Sequence, residues 1–378
     1  DKKLAEPINC ATLLGLRFFL KPSHYPSYYA KNVRLSEITF NQKPAPIVSI
    51  IISSINTNAL ETCLKSLSLN ITNRCDYEVI ISTTDLEAKL KEANGLIYVQ
   101  ETGTYQECLA IAKGKYICFL DEQTIVLPMW LESLVETMED DATVGCVGSK
   151  IYTSLGLIKH AGGIIDQKGR YYAYGNYQHP NRFNYDYKRP VDFCYKTGMM
   201  FQKSDLDKIN NFEDPMFQAI DICFTIRHQL GKKIIYQPSA EIIDLQKKDV
   251  PKISKEGCAD FVSKWQTVLN SEYNFTNLED AATRFLPKQT ISVIDSYLPF
   301  FDKESGSNRL FQLLKIFQEL NYHVAFLPND GKCVEPYYRI LTAKLGIPVI
   351  YNYSEKKQFK QAIFDLINRT NILWISRS

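Results

Sequence analysis

Long apolar runs, blocks of like charge and closely spaced cysteine pairs are all missing from this 378-residue chain, and tryptophan occurs only 3 times. Each absence excludes something. The apolar stretch from Cys10 to Leu20 is broken by Arg17 and is about half of the roughly 20 residues a membrane span needs. No basic start and small-residue cleavage site mark a signal peptide. The densest basic cluster is Lys247-Lys248 with Lys252 and Lys255 nearby, and the formal net charge is only +2. A nucleic-acid protein usually carries a basic stripe, so that partner class is set aside. The 10 cysteines are scattered singly, without Cys-x-x-Cys or paired histidines, which argues against a structural zinc site. Cys118, Cys146 and Cys223 sit in apolar runs, as small buried hydrophobes do. Reduced thiols and a cytoplasmic location are expected, peripheral at most to the inner face of a membrane. The sequons at Asn70, Asn274, Asn352 and Asn368 then carry no meaning.

What is present is a globular balance, 45% hydrophobic and 23% charged, with a surplus of 23 Tyr and 20 Phe. The length points to two domains. Residues 1–43 form a lead-in, closed by Lys43-Pro44-Ala45-Pro46. Ile47 to Ile52 then reads as a strand buried on both faces. Leucines 60, 64 and 67 recur at helical spacing. Strands at 77–81, 95–99 and 115–120 alternate with helices at 85–93 and 104–113, the rhythm of a parallel α/β sheet. A second α/β set follows Arg284-Phe285-Leu286-Pro287. It has strands at 290–295, 323–328, 348–351 and 371–375, and helices at 309–320, 337–345 and 356–367. The expected domains are 44–284 and 285–378.

The fourth strand ends in Asp121-Glu122-Gln123-Thr124, at the carboxyl edge where open α/β sheets bind ligands. One or two such carboxylates hold a divalent metal against a diphosphate; a strand ending in acids is also an ordinary solvated turn. The order of segments here resembles family 2 glycosyltransferases of the GT-A fold, over roughly residues 46–250. Ser53-Ser54-Ile55-Asn56 stands where these enzymes begin their nucleotide site. Gly114 to Asp121 resembles the approach to their metal-binding DxD motif. Gly145 to Lys150 and Lys159-His160-Ala161-Gly162-Gly163 resemble the next segment of rhamnosyltransferase-like members. Val191 to Cys194, Asn211 to Asp214, Asp221 to Phe224 and Ile234 to Pro238 follow in family order. The last hundred residues resemble the N-terminal half of family 4 glycosyltransferases of the GT-B fold. Asp302 to Arg309 there looks like the glycine-containing loop, which lets backbone approach a ligand. The chain starts at Asp1 without Met and stops after one such half, so it reads as a fragment of a longer polypeptide.

The resemblance implies a GT-A nucleotide-diphospho-sugar transferase-like domain plus a Rossmann-like half of a GT-B fold. It implies inverting transfer from a nucleoside diphosphate sugar to a glycan or lipid-linked glycan hydroxyl, in bacterial O-antigen-type polysaccharide assembly. Ser53, Ser54, Asn56 and Ser82 would face the nucleotide, Asp121 and Glu122 the diphosphate, and Tyr172 and Tyr174 the acceptor. Asp121, Gln123 and Asp244 mark the metal positions for Mn²⁺ or Mg²⁺. Asp221, with Asp214 as a displaced base, marks the catalytic ones.

Four positions depart from the family pattern. Ser82 replaces an Asp, Gln123 the principal metal-binding Asp, Gln218-Ala219 the Glu-Asp base, and Asp244 the late His. A neutral amide is a poor ligand for a hard cation. Gln218-Ala219 cannot take a proton, a step worth about 10²–10⁴-fold. Two compensations stay open: Glu213-Asp214 as the base, or Asp121 and Asp244 jointly holding a cation. The alternative is a catalytically inactive module that binds glycan or scaffolds an active transferase in the same polypeptide or complex. Tyr171, Tyr172, Tyr174 and Tyr177 with His179 form either a sugar-stacking cluster or a buried one. His160 reads as structural. Arg227 and His228 read as a phosphate-facing or a solvated pair.

Overall fold

The computed structural model describes residues 33–40, 43–54, 57–72, 75–83, 93–100, 106–208, 215–246, 259–351 and 356–376. The chain forms two compact units. The first comprises residues 1–177 and 192–274, the second 178–191 and 275–378. The second unit thus begins ten residues earlier than the sequence suggests, and it takes in a segment, 178–191, expected in the first domain.

The first unit is built on one twisted sheet. Its opening strand β1 (Val48–Ser54) is apolar throughout its middle because it lies between β2 (Tyr77–Thr83) and β4 (Tyr116–Asp121), both parallel to it. Beyond β2 lies β3 (Leu96–Gln100). Helix α1 (Thr57–Asn70) buries Leu60, Leu64 and Leu67, the leucines at helical spacing. The short α2 (Gln106–Ile111) precedes β4, and the expected helix at 85–93 falls almost wholly outside the described residues.

After β4 come the short β5 (Thr124–Val126) and α3 (Trp130–Asp140), whose Trp130, Leu131, Leu134 and Met138 form one buried stripe. The chain then runs through β6 (Val144–Tyr152), buried at all nine positions, and the small strands β7 (Ile158–His160), β8 (Gly163–Ile165) and β9 (Tyr171–Ala173). It returns as β10 (Met199–Gln202), α4 (Pro215–His228), β11 (Lys233–Asp244) and α5 (Ala259–Glu272). The order across the sheet is β3-β2-β1-β4-β10-β6-β11.

The sheet is mixed, where alternation of strands and helices led us to expect a parallel one. β10 runs antiparallel to both of its neighbours, β4 and β6. No helical crossover separates it from the β-rich stretch before it, so it enters the sheet from the opposite end. This reversal places the residues that lead into β10 beside those that leave β4.

The second unit starts with α6 (Leu278–Thr283), capped by Asn277, whose Oδ1 accepts from the Glu279 and Asp280 amides at 3.1 and 2.9 Å. Strand β12 (Thr290–Asp295) follows, then α7 (Ser305–Glu319), β13 (His323–Pro328), α8 (Lys356–Arg369) and β14 (Ile372–Ile375). β13 and β14 flank β12 in parallel, and Val349 makes a single parallel bridge to Phe326 on the far side of β13. In chain order that is 3-2-1-4, a doubly wound arrangement. The expected strand at 348–351 contributes only this bridge, and the expected helix at 337–345 is helical turns over 337–344. Val293, Leu314, Phe326 and Ile347 are central to this unit's core. Each such side chain contributes roughly 1.5–3 kcal/mol on burial.

All eight described cysteines are free and seven are buried. Among the described residues no helix is long and apolar enough to cross a membrane.

Candidate functional site

Parallel register brings three of the expected residues into one row. Ser53 pairs with Ser82 on one side and with Asp121 on the other, at the carboxyl ends of β1, β2 and β4. This is the edge of an open α/β sheet at which ligands bind. The backbone of Ser54 continues β1 opposite Thr83; its side chain, together with Asn56 and Asp214, lies outside the described residues.

Glu122 and Gln123 form the turn between β4 and β5. The Gln123 carbonyl accepts from the Leu245 amide at 2.9 Å, and Thr124 pairs with Asp244 across β5 and β11. Asp244, more than a hundred residues later in the chain, therefore joins the same edge. Burial pushes the Asp244 carboxyl up, Lys159 pulls it back, and the nearby charge of Asp121 pushes it up again. Asp121 and Asp244 thus feel one another. Burial also raises the Cys63 thiol, and the Asp121 and Glu122 charges add to the effect. Tyr195 is raised by burial first and then by Asp244 and Asp121.

Each of the two carboxylates already has a cation, and it is a lysine. Lys196 Nζ lies 3.1 Å from Asp121 Oδ2, which also accepts from Gln246 Nε2 at 3.2 Å. The Asp121 amide donates to Thr197 Oγ1 at 2.9 Å. Lys159 Nζ sits 2.7 Å from Asp244 Oδ2, in a pair whose side chains are only 5% and 1% exposed. Asp244 Oδ1 accepts from the Gln246 amide at 2.8 Å.

A divalent metal does not fit this donor set. Its carboxylates carry ammonium groups, the third motif position is the amide Gln123, and among the described residues no three His, Cys, Asp or Glu side chains are placed to hold a metal. A divalent ion about 4 Å from an ammonium is repelled by roughly 8 kcal/mol at an effective dielectric near 20.

The turn carrying Lys196 and Thr197 is held from behind. Gly198 takes φ +74°, and a Cβ there would sit 2.7 Å from both Ile242 Cδ1 and Ser149 Oγ. Ser149 Oγ donates to the Gly198 carbonyl at 2.6 Å and accepts from Trp130 Nε1 at 2.9 Å. The Gly198 amide donates to the Phe119 carbonyl at 2.8 Å. Sequence reasoning missed Lys159, Lys196, Thr197 and Gln246. The signal available was that Lys196-Thr197-Gly198 immediately precedes an apolar run, Met199-Met200-Phe201.

Three other expected groups lie as follows. Asp221 is wholly buried: both of its oxygens accept from Lys264 Nζ at 2.8 Å, and Oδ1 also accepts from Trp265 Nε1 at 2.6 Å. These bonds tie α4 to α5 and leave the carboxylate no approach for an acceptor hydroxyl. Tyr172 and Tyr174 are each only 9% exposed, so they offer no open ring face to a sugar. The Tyr172 hydroxyl donates to Asp166 Oδ2 at 2.9 Å, and Tyr171 packs edge-on against Phe193 and Phe217. Of the expected charged pair, His228 bonds the Tyr273 hydroxyl at 2.9 Å and Arg227 approaches Asp192 at 3.7 Å. His160 is buried against the Phe193 and Tyr195 rings, as expected of a structural histidine.

Residues 49–209 match the family model described as Glycosyl transferase family 2. No curated protein matches the sequence. Among solved structures, the chain is similar to GalNAc-T7 with UDP, GalNAc and Mn²⁺, with a TM-score of 0.45 and 13% identity over 64% of this chain. The match spans 55% of that protein, little more than half its length. It is also similar to the mannosyltransferase PcManGT from Pyrobaculum calidifontis in complex with GDP-Man and Mn²⁺, with a TM-score of 0.38 and 14% identity. That match covers 72% of this chain and 77% of the other.

Proposed function

We propose that the first unit binds a nucleoside diphosphate sugar at the carboxyl ends of β1, β2 and β4. It passes the sugar, with inversion, to a hydroxyl of a glycan or lipid-linked glycan in polysaccharide assembly. The observation that carries this reading is the row Ser53, Ser82 and Asp121 on adjacent parallel strands, inside the segment matched by the family model. In this reading the serine hydroxyls meet the nucleotide, and the edge holding Asp121, Glu122 and Lys196 meets the diphosphate. The acceptor oxygen bonds to the anomeric carbon as the bond to the diphosphate breaks, and the acceptor proton passes to a base. With Asp221 committed to Lys264 and Trp265, the Glu213-Asp214 pair is the base of this reading. The second unit is read as the Rossmann-like half of a GT-B fold, and the protein as cytoplasmic.

A second reading rests on Asp221 and on Gln218-Ala219: the unit is catalytically inactive and binds glycan or scaffolds an active transferase. Calorimetric titration with UDP, GDP and dTDP, followed by assay of nucleoside diphosphate release from their sugar conjugates with oligosaccharide acceptors, separates the two. Binding with turnover that is lost in Asp214→Asn supports transfer. Binding without turnover supports the inactive module, and absence of nucleotide binding overturns the transfer reading.

A further inference from the structure

We infer that the first unit recognises a diphosphate without a divalent metal, with the Lys196 ammonium in the place of the cation; this rests on the nucleotide-sugar reading above. Three observations converge. Lys196 is anchored to Asp121 Oδ2 at 3.1 Å, yet its side chain is 29% exposed, so its remaining N–H groups can reach a ligand. It stands next to Thr197, whose hydroxyl takes the Asp121 amide, and Asp121 in turn is in register with Ser53. The second carboxylate of the edge is neutralised separately by the buried Lys159.

The electrostatic outcome matches what a metal provides. A dianionic edge of Asp121 and Asp244 alone repels a diphosphate. The two ammonium groups offset the charges of Asp121 and Asp244, and Lys196 is the more exposed of the two. An ammonium offers three donors without a fixed coordination geometry, which suits an anionic oxygen of variable position. Gln123 fits the same account. The turn already carries the Glu122 carboxylate; a second one at position 123 adds further negative charge, whereas an amide adds none. The substitutions at the metal positions therefore form one change of chemistry rather than a set of independent losses. Asp121 is a positioning residue here, and Lys196 is the group that touches phosphate.

The test is titration of the intact chain with UDP, GDP, dTDP and inorganic pyrophosphate, in EDTA and again with MnCl₂. Expected is binding in EDTA that changes by less than about twofold on adding manganese. Lys196→Ala is expected to weaken binding about tenfold or more, the loss of one charge-assisted contact, whereas Lys196→Arg keeps most of it. Thermal unfolding of both variants checks the fold. The double variant Lys196→Ala/Gln123→Asp is expected to become manganese-dependent, because Asp121 is released and a second carboxylate supplied. Binding by the unaltered chain only with manganese overturns the metal-free inference and leaves the nucleotide reading standing. Undiminished binding by a folded Lys196→Ala, or a double variant indifferent to manganese, also overturns the inference. No binding of any probe in either condition removes the nucleotide reading itself.

Discussion

The two units each end a central parallel strand in an aspartate, and the two aspartates live in different worlds. Asp121 closes β4 with a side chain 19% exposed, beside a partly exposed lysine, a threonine hydroxyl and an amide. Asp295 closes β12 wholly buried, its Oδ1 taken by the next residue's own amide, Ser296, at 2.7 Å. Around the loop that follows, Tyr297 stacks on Phe300, Phe300 leans on Tyr337 and Phe301 stacks on Phe311, with ring centroids 4.3–5.2 Å apart. One carboxyl edge carries two lysine–carboxylate pairs, one partly exposed and one buried, and the other is packed with rings. The same topological position therefore does not confer the same chemistry; the side chains that neighbouring loops deliver to it do.

The contrast breaks most sharply at Lys159. Replacing it by Met leaves Asp244 buried without its cation, and we expect a loss of about 3–5 kcal/mol in urea unfolding. The double variant Lys159→Met/Asp244→Leu is expected to recover most of that loss, since the stranded charge is then gone. Next in size is Gly198→Ala. It forces a left-handed backbone on alanine and drives a methyl into Ile242 and Ser149, which we expect to cost roughly 2–4 kcal/mol and to disturb the Lys196 turn. Thermal unfolding measures the first effect and nucleotide titration the second.

The second unit is expected to answer to pH instead. Burial lowers His323 from 6.5 to about 4. The unfolded chain therefore binds a proton that the folded unit refuses, and stability is full above 6.5 and is lost as pH falls toward about 4. Unfolding followed across this range should show a loss of about 1–3 kcal/mol that His323→Phe flattens. The smallest effect is expected from Tyr337→Phe, which removes the hydroxyl donated to Asp302 Oδ1 at 2.6 Å. It should cost about 0.5–1.5 kcal/mol in the second unit and leave ligand binding by the first unchanged.

Asp121 was legible as an acid at the carboxyl end of a strand, and Ser53 and Ser82 through the order of segments that resembles the family; parallel strands of similar length finish together, so the three converge. Lys196, Thr197 and Gln246 were not, because their approach depends on the direction of β10 and on the pairing of β11 with β5. The contacts they make span 75 to 125 residues: Lys196 and Thr197 to Asp121, and Gln246 to Asp121. Periodicity identifies a strand but not the way it runs. The surroundings of Asp221 were hidden for a related reason. Its place in the order of segments marked a catalytic position, while Lys264 and Trp265, which bond its oxygens, come from α5 some forty residues further on. Tyr172 and Tyr174 lie buried, which the sequence left open because an aromatic-rich stretch looks alike whether its rings face a sugar or the interior. In the second unit the element order was legible, and only the strand at 348–351 shrank to a bridge.

The reversal of β10 has one more consequence. Because this strand enters between β4 and β6 from the site end, the charge beside Asp121 is supplied by a three-residue turn rather than by the strands themselves. The sheet, its register and its core are indifferent to what the residue at position 196 carries. Charge beside Asp121 is thus delivered by a turn at the mouth of the sheet, apart from the strands whose register builds the framework.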